Sequence, residues 1–327
     1  MTAIPLNPSE AVKPAVAAKT PGQLFWARFK DDKGALFAAV VVVLLIFIAV
    51  AGGPISQSIT HHSNTTAYTE QTTGICGTPM EDSFGLPKGP NGCFWFGADG
   101  AGRDLFVRTM YGVRTSLIVG VIASAIAVIV GLLVGMTAGF FGGWVDTLLS
   151  RIADVMLAIP YLLIAIGITA ACNTTVQGCL GGLIKPGIGI VIGVIAFFSW
   201  SYIARIVRGF TLSVKERDFV EAARSLGASN ARIIFREVLP NLIGPIIVYT
   251  TLLIPANILF EAGLSFLGLG VPPDTASLGG LLNEATQYYD VTWWLTFFPG
   301  LFLILITLAF NLLGDGLRDA LDVRTDR

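Results

Sequence analysis

Charge is scarce in this sequence: Asp, Glu, Lys and Arg make up 13% of its 327 residues, against about 25% in a typical soluble domain. A water-soluble globule is a poor description of such a chain. Histidine occurs only as the adjacent pair His61 and His62, and cysteine only at Cys76, Cys93, Cys172 and Cys179, without C-x-x-C spacing. Neither pattern supplies a metal centre, so none is expected. No G-x-x-x-x-G-K-[ST] occurs, so the cradle for nucleotide phosphates is missing and the chain does not itself hydrolyse ATP. A Gly-x-Ser-x-Gly elbow and an H-E-x-x-H helix are absent too, which leaves no recognisable catalytic constellation. The net charge of -1 offers no basic field to nucleic acid.

What is abundant is apolar residue, 54% of the chain, gathered into long runs. Crossing a hydrocarbon layer of about 30 Å takes roughly 20 apolar helical residues. Six stretches qualify: Gly34 to Gly53, Thr115 to Gly139, Ile152 to Ala171, Gly187 to Val207, Leu242 to Ala262 and Trp293 to Leu313. The expected fold class is an all-α integral membrane protein with six transmembrane helices. Loops rich in Lys and Arg stay in the cytoplasm. Placing the N-terminus there leaves only Lys88, Arg103, Arg108, Arg114 and Lys185 outside, of 21 Lys and Arg, and both termini are expected to be cytoplasmic. All four cysteines then lie outside, where disulfides persist. Four cysteines permit three connectivities, and the economical ones pair Cys76 with Cys93 and Cys172 with Cys179.

Residues 1–33 read as a cytoplasmic tail. Its last stretch, Gln23 to Lys33, sets Leu24, Phe25, Trp26 and Phe29 opposite Arg28 and Lys30, a pattern for the inner membrane surface. Residues 34–53 form the first crossing and 54–112 an external insert full of Pro and Gly. Gly131, Gly135 and Gly139, and likewise Gly189 and Gly193, recur every four residues, as helices that approach closely in lipid require. Pro160, Pro255 and Pro299 should kink their helices. Asp154 follows Arg151 by three residues and is expected to pair with it on one helix face. Glu261, near the outer end of the fifth crossing, is expected to reach outward to the interface.

The longest cytoplasmic loop, residues 208–241, carries the most information. Glu216 to Ser225 reads as a short helix stopped by Gly227, the residue that best takes a left-handed cap. Ser229 or Asn230 can cap a second helix running to Val238, Leu239 and Pro240. The small residues Ala222 and Ala223 would be free for close docking.

Glu221-Ala222-Ala223, then Gly227, then Val238-Leu239-Pro240 resembles the EAA loop of ABC importer permeases, E-A-A-x-x-x-G followed by I-x-L-P, with Val238 in place of isoleucine. Further runs resemble the dipeptide and oligopeptide branch of that family. Gly97 to Asp104, with Asp99, Gly102, Arg103 and Asp104, is similar to its G-T-D-x-x-G-R-D segment, with Ala98 replacing Thr. Tyr111 to Leu117, with Arg114, is similar to Y-G-x-R-x-S-L. Leu264 to Gly270, with Ser265, Gly268 and Gly270, matches L-S-F-L-G-L-G, and Ala309 to Asp319, with Asn311, Gly314 and Asp315, resembles its C-terminal signature. Leu278 stands where the family usually has Trp.

The resemblance implies a type I ABC importer permease in the bacterial cytoplasmic membrane. Its permease domain would span 113–316, with a cytoplasmic tail at 317–327. It implies that Arg217, Glu221, Ala222, Ala223, Arg224, Gly227, Leu239 and Pro240 couple the chain to two ATP-binding subunits, which hold the ATP and Mg, while the permease itself carries no cofactor. A second homologous permease, an extracytoplasmic peptide-binding protein and a peptide cargo complete the implied assembly, set in the lipid bilayer and without nucleic acid. Relatives in this branch also carry nickel chelates or glutathione. A stand-alone channel or secondary transporter would need charges within the spans, which are nearly free of them.

Overall fold

The structure, a computed structural model, describes residues 20–68, 86–173 and 187–321. Short helix α1 (Pro21–Asp31) leads into α2 (Lys33–Thr60). Asp32 caps α2, its Oδ1 accepting from the amides of Gly34 and Ala35 at 2.8 and 3.1 Å. Helix α3 (Leu105–Phe141) is capped by Asp104, which accepts from the amides of Phe106 and Val107. Helices α4 (Gly143–Ala158) and α5 (Tyr161–Asn173) follow, then α6 (Ile188–Lys215), α7 (Asp218–Ser225), α8 (Asn230–Phe266), α9 (Leu278–Ala285) and α10 (Trp293–Leu321). Among the described residues helices α2, α3, α6, α8 and α10 are each long and apolar enough to cross a membrane, and the bent pair of α4 with α5 is apolar enough for a sixth if the two count as one span.

That break corrects the expectation of one continuous crossing over Ile152 to Ala171. The two halves meet at 79°. Pro160 has no amide to donate and its ring disfavours helical geometry in the residue before it. Ile159 accordingly sits at φ -73, ψ 132, which is extended. Two other prolines act more gently. A wide π-helical turn at Ile48–Gly52 precedes Pro54, and another at Ile233–Val238 precedes Pro240. In each case the carbonyl that proline cannot satisfy, of Val50 or Arg236, falls inside the widened turn. Beside the second, the Glu237 carbonyl accepts from Asn241 Nδ2 at 2.7 Å. Within 208–241, α6 runs on to Lys215 and α8 starts at Asn230, so the connection between them is 216–229, with α7 inside it.

The centre of the bundle is α3 against α6. A Cβ on Gly131 would stand 2.7 Å from Ile203 Cβ, one on Gly135 2.5 Å from the Ala204 carbonyl oxygen, and one on Gly139 2.7 Å from Thr211 Cβ. Those glycines set the helix separation. Gly189 and Gly193 do not repeat the pattern: both are exposed and meet nothing within 4 Å. Four-residue spacing selects a helix face, not what lies across from it. The outer surface is apolar, with Phe37, Val43, Leu163 and Ile304 each more than 60% exposed, while Ser116, Ser124, Thr211 and Glu261 are fully buried. This inversion of the soluble pattern fits lipid as solvent.

One end of the bundle gathers the start of α2 and the end of α10: Phe29 of α1 is buried against Ala35 and Ala320. Phe29 therefore faces protein rather than the membrane surface, whereas Trp26 is 54% exposed.

Candidate functional site

Two ends of α3, about 55 Å apart for 37 residues at helical rise, frame the site. At the C-terminal end, Lys215 Nζ donates to the Gly139 carbonyl at 2.8 Å, which ties the last turn of α6 to α3. Beyond Lys215 the chain turns into α7. Val220 is its buried anchor and Ala223 packs against the same apolar cluster, whereas Arg217, Glu221, Ala222 and Arg224 are exposed. The helix ends in a complete Schellman motif. Gly227 N donates to the Arg224 carbonyl at 3.0 Å, and Ala228 N to the Ala223 carbonyl at 3.1 Å. Gly227 takes φ +79 and a Cβ there would touch nothing, so backbone conformation alone calls for glycine. Ser229 then caps α8, accepting from Arg232 N. Leu226, at the tip, is 88% exposed. Leu239 and Pro240 lie at the wide turn that starts the straight part of α8.

At the other end, Asp99 is buried and fully used. Its Oδ1 accepts from the amides of Ala101 and Arg103, and its Oδ2 from Arg103 Nε at 2.8 Å. Arg108 Nε stands 3.0 Å from the same Oδ2 without the alignment of a hydrogen bond. Arg103 and Arg108 both donate to Glu284 Oε1, at 3.1 and 3.2 Å. Gly97 and Gly102 take φ +79 and +70, and so fold the loop around Asp99. This four-member network binds the segment before α3 to α3 and α9. Burial, then the nearby Asp99 charge, push the Glu284 carboxyl up from the usual range. His62 Nδ1 lies 2.6 Å from Asp104 Oδ2, its ring stacked on Phe94 at 4.3 Å. Burial raises the Asp104 carboxyl, against the pull of His62 and two backbone amides. The pair closes α2 onto the start of α3.

Glu261 corrects the sequence reading most clearly. It is fully buried and does not reach outward: Ser116 Oγ donates to its Oε2 and Ser265 Oγ to its Oε1, both at 2.7 Å. Ser265 Oγ also accepts from Val271 N, and Gly270 lies so close over the Ser265 backbone that a Cβ would collide with it. Gly268, at φ +75, closes α8 with a second Schellman motif onto Ser265 and Leu264. Asp154 also differs from expectation. It pairs with Arg205 across the helix interface at 2.5 Å, not with Arg151, and Arg208 pairs with Asp146.

Not every singled-out residue joins these groups. Gly314 lets α10 approach Leu252 of α8, but Arg114, Asn311 and Asp315 are exposed, without an ion pair among the described residues. Neither Cys93 nor Cys172 is a free thiol. Cys76 and Cys179, the expected partners, lie outside the described residues. Arg108 and Glu284 were missed as site residues because their contacts join positions far apart in sequence and leave no local spacing.

Two cavities lie along α6, one walled by α4, α5, α6 and α8 and the other by α3, α4 and α6. One, of about 360 Å³, adjoins the Pro160 break and is lined by Tyr161, Phe198, Ser199, Tyr202, Asn257 and Phe260 among others. The second, of about 430 Å³ and nearer α7, is lined by Asp146, Arg151, Asp154, Arg205 and Arg208 among others.

Comparison with known proteins agrees with this layout. Residues 128–327 match the family model of the binding-protein-dependent transport system inner membrane component, and residues 20–71 that of the N-terminal TM domain of oligopeptide transport permease C. The glutathione transport system permease proteins GsiD of Escherichia coli O6:K15:H31 and of Shigella boydii serotype 4 are each 40% identical over 317 residues, covering 97% of this chain and 95% of theirs. The fold is similar to that of the MetNI methionine ABC transporter in inward-facing conformations, with a TM-score of 0.52 in one crystal form and 17% identity, over 64% of this chain and 94% of that one. The chain is therefore a multi-pass inner-membrane protein that belongs to the permease components of binding-protein-dependent ABC transporters, in their peptide and oligopeptide branch.

Proposed function

We propose that this chain forms one wall of the path through an ATP-driven importer of short peptides, glutathione among them, and that force enters it through α7 and Gly227. The observation that carries the reading is mechanical. The α7 turn joins the end of α6 to the start of α8, and those two helices supply Phe198, Ser199, Tyr202, Asn257 and Phe260 to the cavity wall. A push on α7 therefore reaches the wall without passing through a flexible segment. Exposed Leu226, Ala222 and the flanking charges Arg217, Glu221 and Arg224 offer a small, registered surface to an ATPase partner. Glutathione transport by the 40% identical relatives supports a short-peptide cargo, since glutathione is itself a tripeptide.

On this reading two ATP-binding subunits hold the nucleotide and Mg, a second permease supplies the opposite wall, and an external binding protein delivers cargo to the end bearing Asp99 and Glu284. ATP binding biases two arrangements of the walls through their different contacts with the ATPase dimer. Domain limits follow the same logic, with the first crossing and the 54–112 insert peripheral to a 113–316 core. The test is Gly227→Val in the assembled transporter. Expected is a complex that inserts and hydrolyses ATP but whose ATP-driven uptake falls at least tenfold. Unchanged uptake by that variant would remove the coupling assignment, and purification without any ATPase would remove the permease reading itself.

A further inference from the structure

The cavity beside Pro160 is unusual in its chemistry. Of the twelve side chains that line it none carries a formal charge, although the neighbouring cavity toward α7 holds three arginines and two aspartates. Its polar content is concentrated in Asn257 and Ser199, with the hydroxyls of Tyr161 and Tyr202 nearby. Asn257 is only 4% exposed. Its Oδ1 accepts from Ser199 Oγ and its Nδ2 donates to Ser124 Oγ, both at 2.9 Å. An amide has two donor hydrogens and two acceptor lone pairs, so one of each is left over after those bonds. Among the described residues no protein group hydrogen-bonds the Tyr161 or Tyr202 hydroxyls.

Asparagine and serine between membrane helices often serve only to hold the helices together. That role needs no cavity. Here the amide stands at the edge of about 360 Å³ of space, within the range of small-ligand sites, about 300–1,000 Å³. Aromatic rings complete the wall: Tyr161 lies 4.9 Å from Phe260 and 6.4 Å from Phe198. A wall with one free donor, one free acceptor, hydroxyls and rings, but no ion, is complementary to a neutral amide flanked by apolar groups. It offers no opposite charge to an ammonium or a carboxylate.

Resting on the permease reading above, we infer that Asn257, held by Ser199 and Ser124, is the group by which this wall recognises the peptide linkage of a passing solute. The cargo class is short amide-linked solutes, accepted with little regard to side chain, their charged termini left to water or to the arginines and aspartates further along.

The experiment uses the full complex of both permeases, ATPases and binding protein in liposomes. Uptake of alanyl-alanine is compared with that of alanyl-lactate, whose ester lacks the amide N–H. The binding protein is the same throughout, so its own preference is common to every permease variant and cancels when their amide-to-ester ratios are compared. The unaltered complex should favour the amide about tenfold, the value of one well-made hydrogen bond. Asn257→Leu should bring the ratio to about twofold or less, and Ser199→Ala should lower it in the same direction, with basal ATP hydrolysis retained. Should Asn257→Leu fail to assemble, Ser199→Ala decides alone. A wild-type ratio in the assembled variants, or no amide preference in the unaltered complex, overturns the inference. Absence of ATP-driven uptake of either probe by the unaltered complex would instead sink the permease reading, and this inference with it.

Discussion

The two ends of the helical bundle are built on opposite principles. At the end bearing α9, Asp99, Asp104, Arg108 and Glu261 are all at or below 2% exposure, and each contacts an oppositely charged or hydrogen-bonding side chain. At the α7 end the charged residues of α7 itself are exposed, the ion pair of Asp154 with Arg205 is half in solvent, and Val220 is the one fully buried residue of α7. The two Schellman glycines are themselves alike, both exposed and with nothing within 4 Å of a Cβ; the difference lies in what precedes them, buried Ser265 and Glu261 before Gly268 and exposed Arg224 before Gly227. One end is finished within the chain, and the other is left bare for contact.

The contrast is broken most decisively at Arg108. Replacing it with alanine strands Asp99 and Glu284 without one of their two cations, and breaking a buried pair costs about 3–5 kcal/mol. Arg108→Ala should lower the thermal unfolding midpoint in detergent more than any single change at the α7 end, and an equal loss from Arg224→Ala would erase the distinction. Gly227→Ala should cost much less, about 1–2 kcal/mol for a left-handed conformation in a residue with a Cβ. Because no neighbour clashes there, Gly227→Asn should recover part of that loss, and denaturant titration of the two variants gives the difference. The smallest effect belongs to the exposed pair: Asp154→Asn should change stability by about 1 kcal/mol or less, an effect that added salt reduces. A larger, salt-insensitive loss would mean that this end is more rigidly built than its exposure indicates.

Much of this was legible in the sequence, and what was legible is local. Six apolar runs, the glycine stripe on α3, the left-handed stop at Gly227 and the Ser229 cap each depend on residues within a few positions of one another. The broken crossing was half visible, since Pro160 marked a bend but the apolar run continues through it without a change of pattern. Glu261 was misjudged because distance along a helix gives depth in the membrane but not which way a side chain faces. The link from Arg108 to Glu284 joins residues 176 positions apart, and no spacing rule reaches that far. The same reason explains Asp154, whose nearest cation in sequence is not its nearest in space.

The widened turn at Ile233–Val238 fixes the angular setting of everything after it in α8. A π turn accommodates one additional residue, and each residue of an α-helix sweeps about 100° around the axis. Rewinding those same residues as a regular α-helix, with none removed, would swing Asn257 through more than a quarter of a circle, whereas deleting one residue would leave its bearing unchanged. Rewound in that way, Asn257 would part from Ser199 and Ser124 while the backbone stayed helical throughout. The proline that spoils the regular winding near one end of this long helix thereby sets the compass bearing of a side chain well over 20 Å away along the axis.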